Sequence, residues 1–257
     1  MVVLAAAAAS GAAAAPLSPA GRAGARLPSA TGLPALYWSG AAWLPTMEGC
    51  NTNKVCFRGL PDTVFVDAAG RLHLRIVDSG GSWMAAQVSS VEEDFGYGTY
   101  RWVLDTPLAS LDPASVVGLY TYNGFKDVTA AKGDDHVGHL EADFELTRWR
   151  NGASRNNVQE TIQPYYNPHN FRRLAVPAHR PGLAFELTWA PTGTTFVIRS
   201  GASTTAPVLK RWWTPAPIGQ PRLGTRVNLN FWNYGGPPLS GQPQEVVIDS
   251  FSYTPGG

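Results

Sequence analysis

The sequence predicts an all-β fold, a sandwich of two antiparallel sheets in one domain, and three observations support this prediction. The chain of 257 residues is rich in turn formers, with 27 glycines and 21 prolines, and only 15% of it is charged. Ten short runs of β-branched and aromatic residues follow one another, separated by Gly, Pro, Asn or Asp. After the N-terminal 35 residues, no stretch keeps a helical period over more than two turns. Regularly spaced short strands without helices are typical of a sandwich or barrel.

The predicted strands extend over most of the chain and show no internal repeat. They cover residues 71–77, 83–88, 98–104, 115–122, 139–146, 156–163, 182–189, 194–199, 225–232 and 245–253. A chain of this length suits one all-β domain. We expect a leader at residues 1–24, a linker at 25–35 and a single domain at 36–257.

The leader, MVVLAAAAASGAAAAPLSPAGRAG, begins with an apolar run that ends in small residues. The run is too short to span a bilayer and resembles the core and cleavage region of a secretory signal peptide. A positively charged leading segment is missing, so a disordered leader rich in Ala and Pro is the alternative. We expect a secreted protein, and no later segment is apolar over enough length to cross a membrane.

The segment GCNTNKVCF carries both cysteines of the chain, Cys50 and Cys56. In an exported protein we expect them to form a disulfide, with two free thiols as the alternative. Two cysteines alone cannot make a zinc site.

Three carboxylates alternate in the segment GHLEADFELTRW: Glu141, Asp143 and Glu145. Side chains alternate across a strand, so these acids share one face, while the apolar residues between them face the core. Like charges at such spacing raise each other's pKa and cost stability. The next predicted strand places Gln159 and Gln163 on one face, where a structural role for the acids would call for Lys or Arg.

The spacing of Glu141 and Glu145 permits glycosidase chemistry. Along a straight strand the two positions are about 13 Å apart, whereas a retaining glycosidase holds its two carboxyl groups about 5–5.5 Å apart. A concave sheet tilts neighbouring side chains toward each other. The longer Glu side chains stand at the outer positions and the shorter Asp143 in the middle, as such convergence requires.

The motif EADFE resembles the E-x-D-x-E active-site motif of glycoside hydrolase family 16, which includes lichenases, laminarinases and xyloglucan transglycosylases. Five further segments are similar to family strands in the same order. They are FGYGTYRWVL (95–104), SVVGLYTYNG (115–124), LAFELTWAPTGTTFVIRSG (183–201), NLNFWN (228–233) and VVIDSFSY (246–253). The resemblance implies a concanavalin A-like β-jelly roll with a concave substrate cleft.

The resemblance implies that Glu141 is the nucleophile and Glu145 the general acid/base, with Asp143 between them. A retaining hydrolase needs one ionised carboxylate and one protonated carboxyl group. Asp143 would share a hydrogen bond with the nucleophile and, by its charge, keep Glu145 protonated. No cofactor is required for this chemistry. Asp249 resembles a position that binds a structural calcium ion in some members, although one carboxylate does not make a calcium site.

Several residues are candidates for binding sugar. Asn230 and Trp232 alternate onto one face of their predicted strand, and the resemblance places them in the cleft; burial in the core is the alternative for Trp232. An aromatic plane stacks on a pyranose and an amide binds its hydroxyl groups. Gln159, Gln163, Tyr122 and His139 form a second group of candidates. A structural role is the alternative for the first three, and positioning of the acids is the alternative for His139, which stands where lichenases have Trp.

We expect a secreted retaining endo-β-glycanase, with β-1,3- or β-1,3-1,4-glucan favoured as substrate. The alternatives are a non-hydrolytic glycan-binding jelly roll, a transglycosylase and a galactan-active relative. A binding protein would have no use for the repulsion among the three acids, so their presence favours an enzyme. We expect a monomer whose partner is a polysaccharide. The net charge of +1 gives no reason to expect nucleic acid as partner.

Overall fold

A computed structural model describes residues 27–28, 34–46, 48–50, 55–123, 140–215 and 218–256 of the chain. Within them lie eighteen strands and a 3-10 turn at Leu108–Ser110. The strands are β1 (Leu27–Pro28), β2 (Pro34–Trp38), β3 (Ala41–Pro45), β4 (Glu48–Cys50), β5 (Cys56–Arg58), β6 (Val64–Val66), β7 (Leu72–Ser79), β8 (Ser82–Ser90), β9 (Gly98–Leu104), β10 (Ser115–Tyr122), β11 (Ala142–Thr147), β12 (Val158–Ile162), β13 (Phe171–Leu174), β14 (Leu183–Ala190), β15 (Gly193–Arg199), β16 (Val208–Thr214), β17 (Arg226–Asn233) and β18 (Gln244–Pro255).

Fifteen of the eighteen strands in the described residues form two antiparallel sheets that face each other. The cleft sheet has the order β13, β12, β11, β10, β17, β8, β3, β2. The outer sheet has the order β6, β7, β18, β9, β14, β15, β16. The first residues of β8 leave β17 and pair with β7 and β5, which links the two sheets at one end. The predicted sandwich of two antiparallel sheets is therefore confirmed.

The core lies between the sheets and consists of the side chains that alternate inward. Phe144 of the cleft sheet packs edge-on against Phe185 and Phe196 of the outer sheet, with ring centroids 5.3 and 5.1 Å apart. All three are fully buried. The inward side chains of β11 are thus fixed by aromatic packing, and this directs the alternate side chains of β11 to the opposite, outward face.

All ten predicted strands are present within a few residues of the predicted bounds, whereas eight strands were not predicted. The missed strands are β1 to β6, β13 and β16. Most of these have five residues or fewer, and β13 and β16 are edge strands that carry Arg or Lys side chains. Because an edge strand carries polar residues on both faces, it lacks the alternation of apolar and polar residues on which the prediction depends.

The N-terminal part of the described chain begins within the predicted linker. Leu27 and Pro28 pair with Ala35 and Pro34, so strand pairing starts inside the range 25–35. The predicted leader at 1–24 lies outside the described residues.

The predicted disulfide is present: the sulfur atoms of Cys50 and Cys56 are bonded across β4 and β5. In the described part of the chain, no helix has the length and apolar character needed to span a membrane.

Candidate active site

Two rows of side chains cross the outward face of the cleft sheet, because directly paired residues of antiparallel strands share a face. The first row is Phe171, Thr161, Asp143, Tyr120, Asn228 and Ser89, and the second is Arg173, Gln159, Glu145, Gly118, Asn230 and Gln87. The strands of the sheet therefore bring residues far apart in the sequence next to the acid strand.

A cleft of about 690 Å³ lies over these rows. It is lined by Phe57, Gln87, Ser89, Val116, Gly118, Tyr120, Tyr122, Glu141, Asp143, Glu145, Gln163, Gly224, Arg226, Asn228, Asn230 and Trp232. The three predicted acids thus share one cleft with four of the predicted sugar-binding residues. Of the other two, Gln159 is buried beside Glu145 on the neighbouring strand and is not part of the lining, and His139 is outside the described residues.

The backbone around Glu141 is held on both sides. Leu140, just before it, has a positive φ of 50° and its carbonyl accepts a hydrogen bond of 2.9 Å from Thr121 Oγ1. The carbonyl of Glu141 accepts a hydrogen bond of 3.1 Å from the backbone N–H of Gln163. These contacts fix the point at which the acid strand enters the sheet.

The protonation of Glu141 and Asp143 is set jointly. The pKa of Glu141 is raised to about 7, mainly by burial. A hydrogen bond with Asp143 opposes this rise, whereas the negative charge of Glu145 contributes to it. Asp143 is 6% exposed. Burial, then the charges of Glu141 and Glu145, raise the pKa of Asp143 well above its usual range. These shifts favour the neutral form of Asp143, in which it donates a hydrogen bond to the Glu141 carboxylate.

Glu145 is held by two donors from β12. Gln159 Nε2 donates to Glu145 Oε2 over 2.5 Å, and Thr161 Oγ1 donates to the same oxygen over 3.3 Å. Burial raises the pKa of Glu145 to about 7, while these two hydrogen bonds and the charge of Arg173 lower it. Because Oε2 accepts both hydrogen bonds, the proton of the neutral acid belongs on Oε1.

The cause of the raised Glu145 pKa differs from the one expected from the sequence. The expectation was that the charge of Asp143 keeps Glu145 protonated, whereas burial is the leading cause. The charge of Glu145 in turn raises the pKa of Asp143, which favours the neutral form of Asp143. Its place between the two glutamates makes it a hydrogen-bond donor to Glu141.

Asn230 and Gly118 form the cleft floor beside Glu145. The backbone N–H of Gly118 donates to Asn230 Oδ1 over 3.1 Å, and Asn230 Nδ2 donates to the hydroxyl of Tyr120 over 3.4 Å. A Cβ atom at position 118 would lie 2.4 Å from Asn230 Oδ1. The absence of a side chain at Gly118 therefore allows the amide of Asn230 to lie flat against the sheet.

Trp232 lies at the rim of the cleft and is partly exposed, so the alternative of a buried core residue does not apply. Its ring contacts Trp149 and Tyr234, with centroids 6.5 and 6.4 Å away.

Asp249, the predicted calcium ligand, is exposed on β18. In the described ranges, no cluster of three or more His, Cys, Asp or Glu side chains is placed to hold a metal ion, and calcium binding stays a prediction.

The sequence prediction missed part of the cleft lining. The missed polar and aromatic residues are Phe57, Gln87, Ser89, Tyr120, Arg226 and Asn228. Tyr120 and Asn228 stand two positions before the predicted Tyr122 and Asn230, so the alternation of the strand was a signal for both. Gln87 and Ser89 become neighbours of the acids only through the pairing of β8 with β17, which no local pattern reveals.

The architecture is the jelly roll of the β-glucanases. The sequence matches no family model and no curated protein. Among solved structures, the chain is similar to a β-glucanase of Bacillus licheniformis, with 18% identity and a TM-score of 0.61 over 91% of this chain and 98% of the other. It is also similar to a glycosyl hydrolase family 16 protein of Mycobacterium smegmatis, with 16% identity and a TM-score of 0.58 over 82% of this chain and 91% of the other.

A third similar structure is described as an immunostimulatory antigen and pseudo β-1,3-glucanase of Mycobacterium tuberculosis. It shares 18% identity and a TM-score of 0.57 over 84% of this chain and 91% of the other. These likenesses establish the fold over most of the chain, in agreement with the family 16 resemblance of the acid motif.

Proposed function

We propose that this chain is a secreted endo-β-glycanase that hydrolyses β-1,3- or β-1,3-1,4-glucan with retention at the anomeric carbon. One observation carries the proposal. Glu141 and Glu145 line one cleft on either side of a neutral Asp143, and the pKa of each glutamate is raised to about 7. Two carboxyl groups that share protons near neutral pH supply both the nucleophile and the acid that a retaining glycosidase needs.

In the first step Glu141 attacks the anomeric carbon while Glu145 protonates the departing glycosidic oxygen. The hydrogen bond from Asp143 stabilises the charged form of Glu141. Gln159 and Thr161 hold Oε2 of Glu145, which leaves Oε1 to deliver its proton to the leaving oxygen. The products of this step are a glycosyl ester on Glu141 and a shortened sugar chain with a free hydroxyl group.

In the second step Glu145 acts as a base. Formation of the ester removes the charge of Glu141, and the coupling between the two glutamates is reciprocal, so the pKa of Glu145 falls when Glu141 is neutralised. The ionised Glu145 then takes a proton from water as the water attacks the anomeric carbon. The same residue thus serves as acid and then as base.

The shape and chemistry of the cleft support internal cleavage of a neutral glucan. Most of its lining residues come from four neighbouring strands, β11, β10, β17 and β8, which span about 14 Å at the usual strand spacing. This is room for more than one pyranose ring. Amide and aromatic side chains such as Asn230, Asn228 and Trp232 suit hydroxyl groups and sugar faces.

Two further features bear on the proposal. The Cys50–Cys56 disulfide is typical of proteins of an oxidising compartment, which supports secretion. The pseudo β-1,3-glucanase with the same fold keeps a non-hydrolytic glycan-binding protein as the second candidate. The retained acids favour the enzyme, because three neighbouring carboxyl groups on one strand cost stability without serving a binding site.

The deciding experiment is incubation of the purified chain with laminarin, mixed-linkage β-glucan, xyloglucan, agarose and a galactan. We expect oligosaccharides of several lengths from one of the first two, with the β anomer formed first in proton NMR spectra. The Glu141→Gln/Glu145→Gln double variant is the matched control for contaminating activity. Binding of these glycans without any product from the wild-type protein would favour the second candidate, and a first-formed α anomer would contradict retention.

A further inference from the structure

A second hollow, of about 590 Å³, adjoins the cleft at Trp232. It is lined by Val55, Ile76, Trp83, Ala85, Trp232, Asn233, Tyr234, Gly235, Gly236 and Pro237, and we call it the distal pocket. Trp232 lines both the cleft and the distal pocket, so the two hollows meet at this side chain. The pocket lies where β8 leaves β17 to pair with β5 and β7.

The lining of the distal pocket suits a neutral sugar. Three aromatic side chains, Trp83, Trp232 and Tyr234, supply ring faces, and none of the lining residues carries a charge. Asn233 Oδ1 accepts a hydrogen bond of 3.2 Å from Ser115 Oγ, whereas its Nδ2 is buried and has no partner. Aromatic faces suit the apolar face of a pyranose ring, and a lining without charged side chains suits an uncharged sugar.

The loop that closes the distal pocket is held in place by Arg150. Arg150 Nη1 donates to the carbonyls of Tyr234 and Pro237 over 3.2 and 2.9 Å. The Tyr234 ring packs edge-on against Trp149, with centroids 5.0 Å apart. Tyr234 is nevertheless 46% exposed. The pocket is therefore preorganised, so a ligand would not have to order the loop on binding.

We propose that the distal pocket binds a pyranose unit of the same neutral β-glucan chain that occupies the cleft. This inference rests on the proposed function and extends it to a preference for long substrates. Gln87 on β8 lies in the same row as Glu145, three strands away from it across the sheet. Trp83 is four residues before Gln87 on the same strand. Strand spacings place Trp83 roughly 20 Å from Glu145, the length of about four pyranose units.

The test is binding to a protein that does not turn over its ligand. In the Glu141→Gln background, calorimetric titrations use β-1,3- and mixed-linkage β-1,3-1,4-gluco-oligosaccharides of two to eight units. We expect the affinity to rise once the chain reaches Trp83. Adding Trp83→Ala or Tyr234→Ala should weaken the longest ligands by about tenfold and leave the shortest within twofold.

Trp213→Ala is the matched control, because Trp213 is 57% exposed on β16 of the outer sheet, away from both hollows. It should leave all affinities unchanged. Trp83 also packs partly on the core, so the exposed Tyr234 provides an independent second variant. Equal length dependence in the parent, Trp83→Ala and Tyr234→Ala proteins would overturn the distal site while leaving the proposed function intact. No binding of any oligosaccharide to the parent would overturn both.

Discussion

Gln159 connects Glu145 to Arg173 at the edge of the cleft sheet. Its Nε2 donates to Glu145 Oε2 over 2.5 Å, and its Oε1 accepts a hydrogen bond of 2.8 Å from Arg173 Nε. Gln159 itself is only 8% exposed. The sequence suggested that Gln159 contacts sugar, whereas these contacts make it a positioning residue for Glu145. Through it, an arginine on the edge strand β13 orients the proposed acid.

Replacing Gln159 by Leu should shift the pH dependence of hydrolysis. The hydrogen bond from Gln159 stabilises the charged form of Glu145 and lowers its pKa. Its loss raises that pKa, so the alkaline limb of the kcat/KM profile, where the acid loses its proton, moves to higher pH. We also expect kcat to fall about tenfold, because Oε2 is no longer fixed.

The control for this prediction is Gln163→Leu. Gln163 lines the same cleft, but its Oε1 accepts a hydrogen bond from the backbone N–H of Tyr165 and makes no contact with Glu145. This variant should raise KM without moving the alkaline limb. An unchanged alkaline limb in Gln159→Leu, together with a raised KM, would return Gln159 to the role of a sugar ligand.

The acid strand could be predicted from the sequence because its pattern is local. Glu141, Asp143 and Glu145 alternate with apolar residues, and the structure places Ala142 and Phe144 in the core as that alternation requires. The same rule identified Asn230 and Trp232 on β17, although Arg226 and Asn228 on the same face were missed. Prediction of the acids succeeded because one strand contains both the apolar and the polar half of the pattern.

The distal pocket and the Arg173 contact could not be predicted in this way. Trp83 and Tyr234 lie about 150 positions apart in the chain and line one pocket only because β8 adjoins β17. Strand order is a non-local property, and no turn or period in the sequence encodes it. Arg173 lies on β13, whose FRRL sequence shows no apolar alternation.

Gly118→Ala should impair substrate binding more than folding. Its added Cβ would lie 2.4 Å from Asn230 Oδ1, and the amide would have to move away from its place beside Glu145. We expect KM to rise about tenfold if Asn230 binds a sugar hydroxyl, since a lost hydrogen bond costs about 1–2 kcal/mol. Steady-state kinetics on the preferred glucan measure the effect.

A matched glycine is available for comparison. A Cβ at Gly152 would meet its nearest neighbour, Pro113, at 3.7 Å, an ordinary contact distance. Gly152→Ala should therefore leave KM unchanged. If Gly118→Ala also retains the wild-type KM and Tm, Asn230 has no part in binding.

Glu141→Gln should change the pH dependence of stability. The pKa of Glu141 is raised from 4.5 to about 7 in the folded protein. Between these pH values the folded state holds a proton that the unfolded chain releases, so stability is lost as the pH rises through this window. Above pH 7 we expect the variant to be more stable than the wild type by on the order of 1–3 kcal/mol. Below pH 4.5 the difference should vanish.

Urea unfolding at several pH values between 4 and 8 measures this difference. Glu92→Gln is the control, because Glu92 is exposed on the surface. The Glu92→Gln substitution should cause the same small change in the unfolding free energy at every pH. A Glu141→Gln protein whose stability follows the wild-type curve across the whole range would show that the pKa of Glu141 is not raised in the folded protein.

The roles of Glu141 and Glu145 are separated by their response to the leaving group. If Glu145 protonates the departing oxygen, Glu145→Ala should lose most activity on glucan, whose leaving group is a poorly acidic sugar hydroxyl. An aryl β-glycoside with an acidic phenol needs little protonation, so this variant should still form the glycosyl ester. Hydrolysis of the ester then stalls, because no base activates water. We expect a burst of phenol followed by slow turnover.

Azide distinguishes the two variants by stereochemistry. In Glu145→Ala, azide enters the space of the missing side chain and attacks the ester on Glu141 without base assistance, which yields a β-glycosyl azide and restores turnover. Glu141→Ala forms no ester and should show no burst, and an azide that replaces its carboxylate attacks the substrate directly to give the α product. Proton NMR spectra of the two azides identify the anomers. The same leaving-group dependence and the same azide anomer from both variants would refute the roles assigned to Glu141 and Glu145.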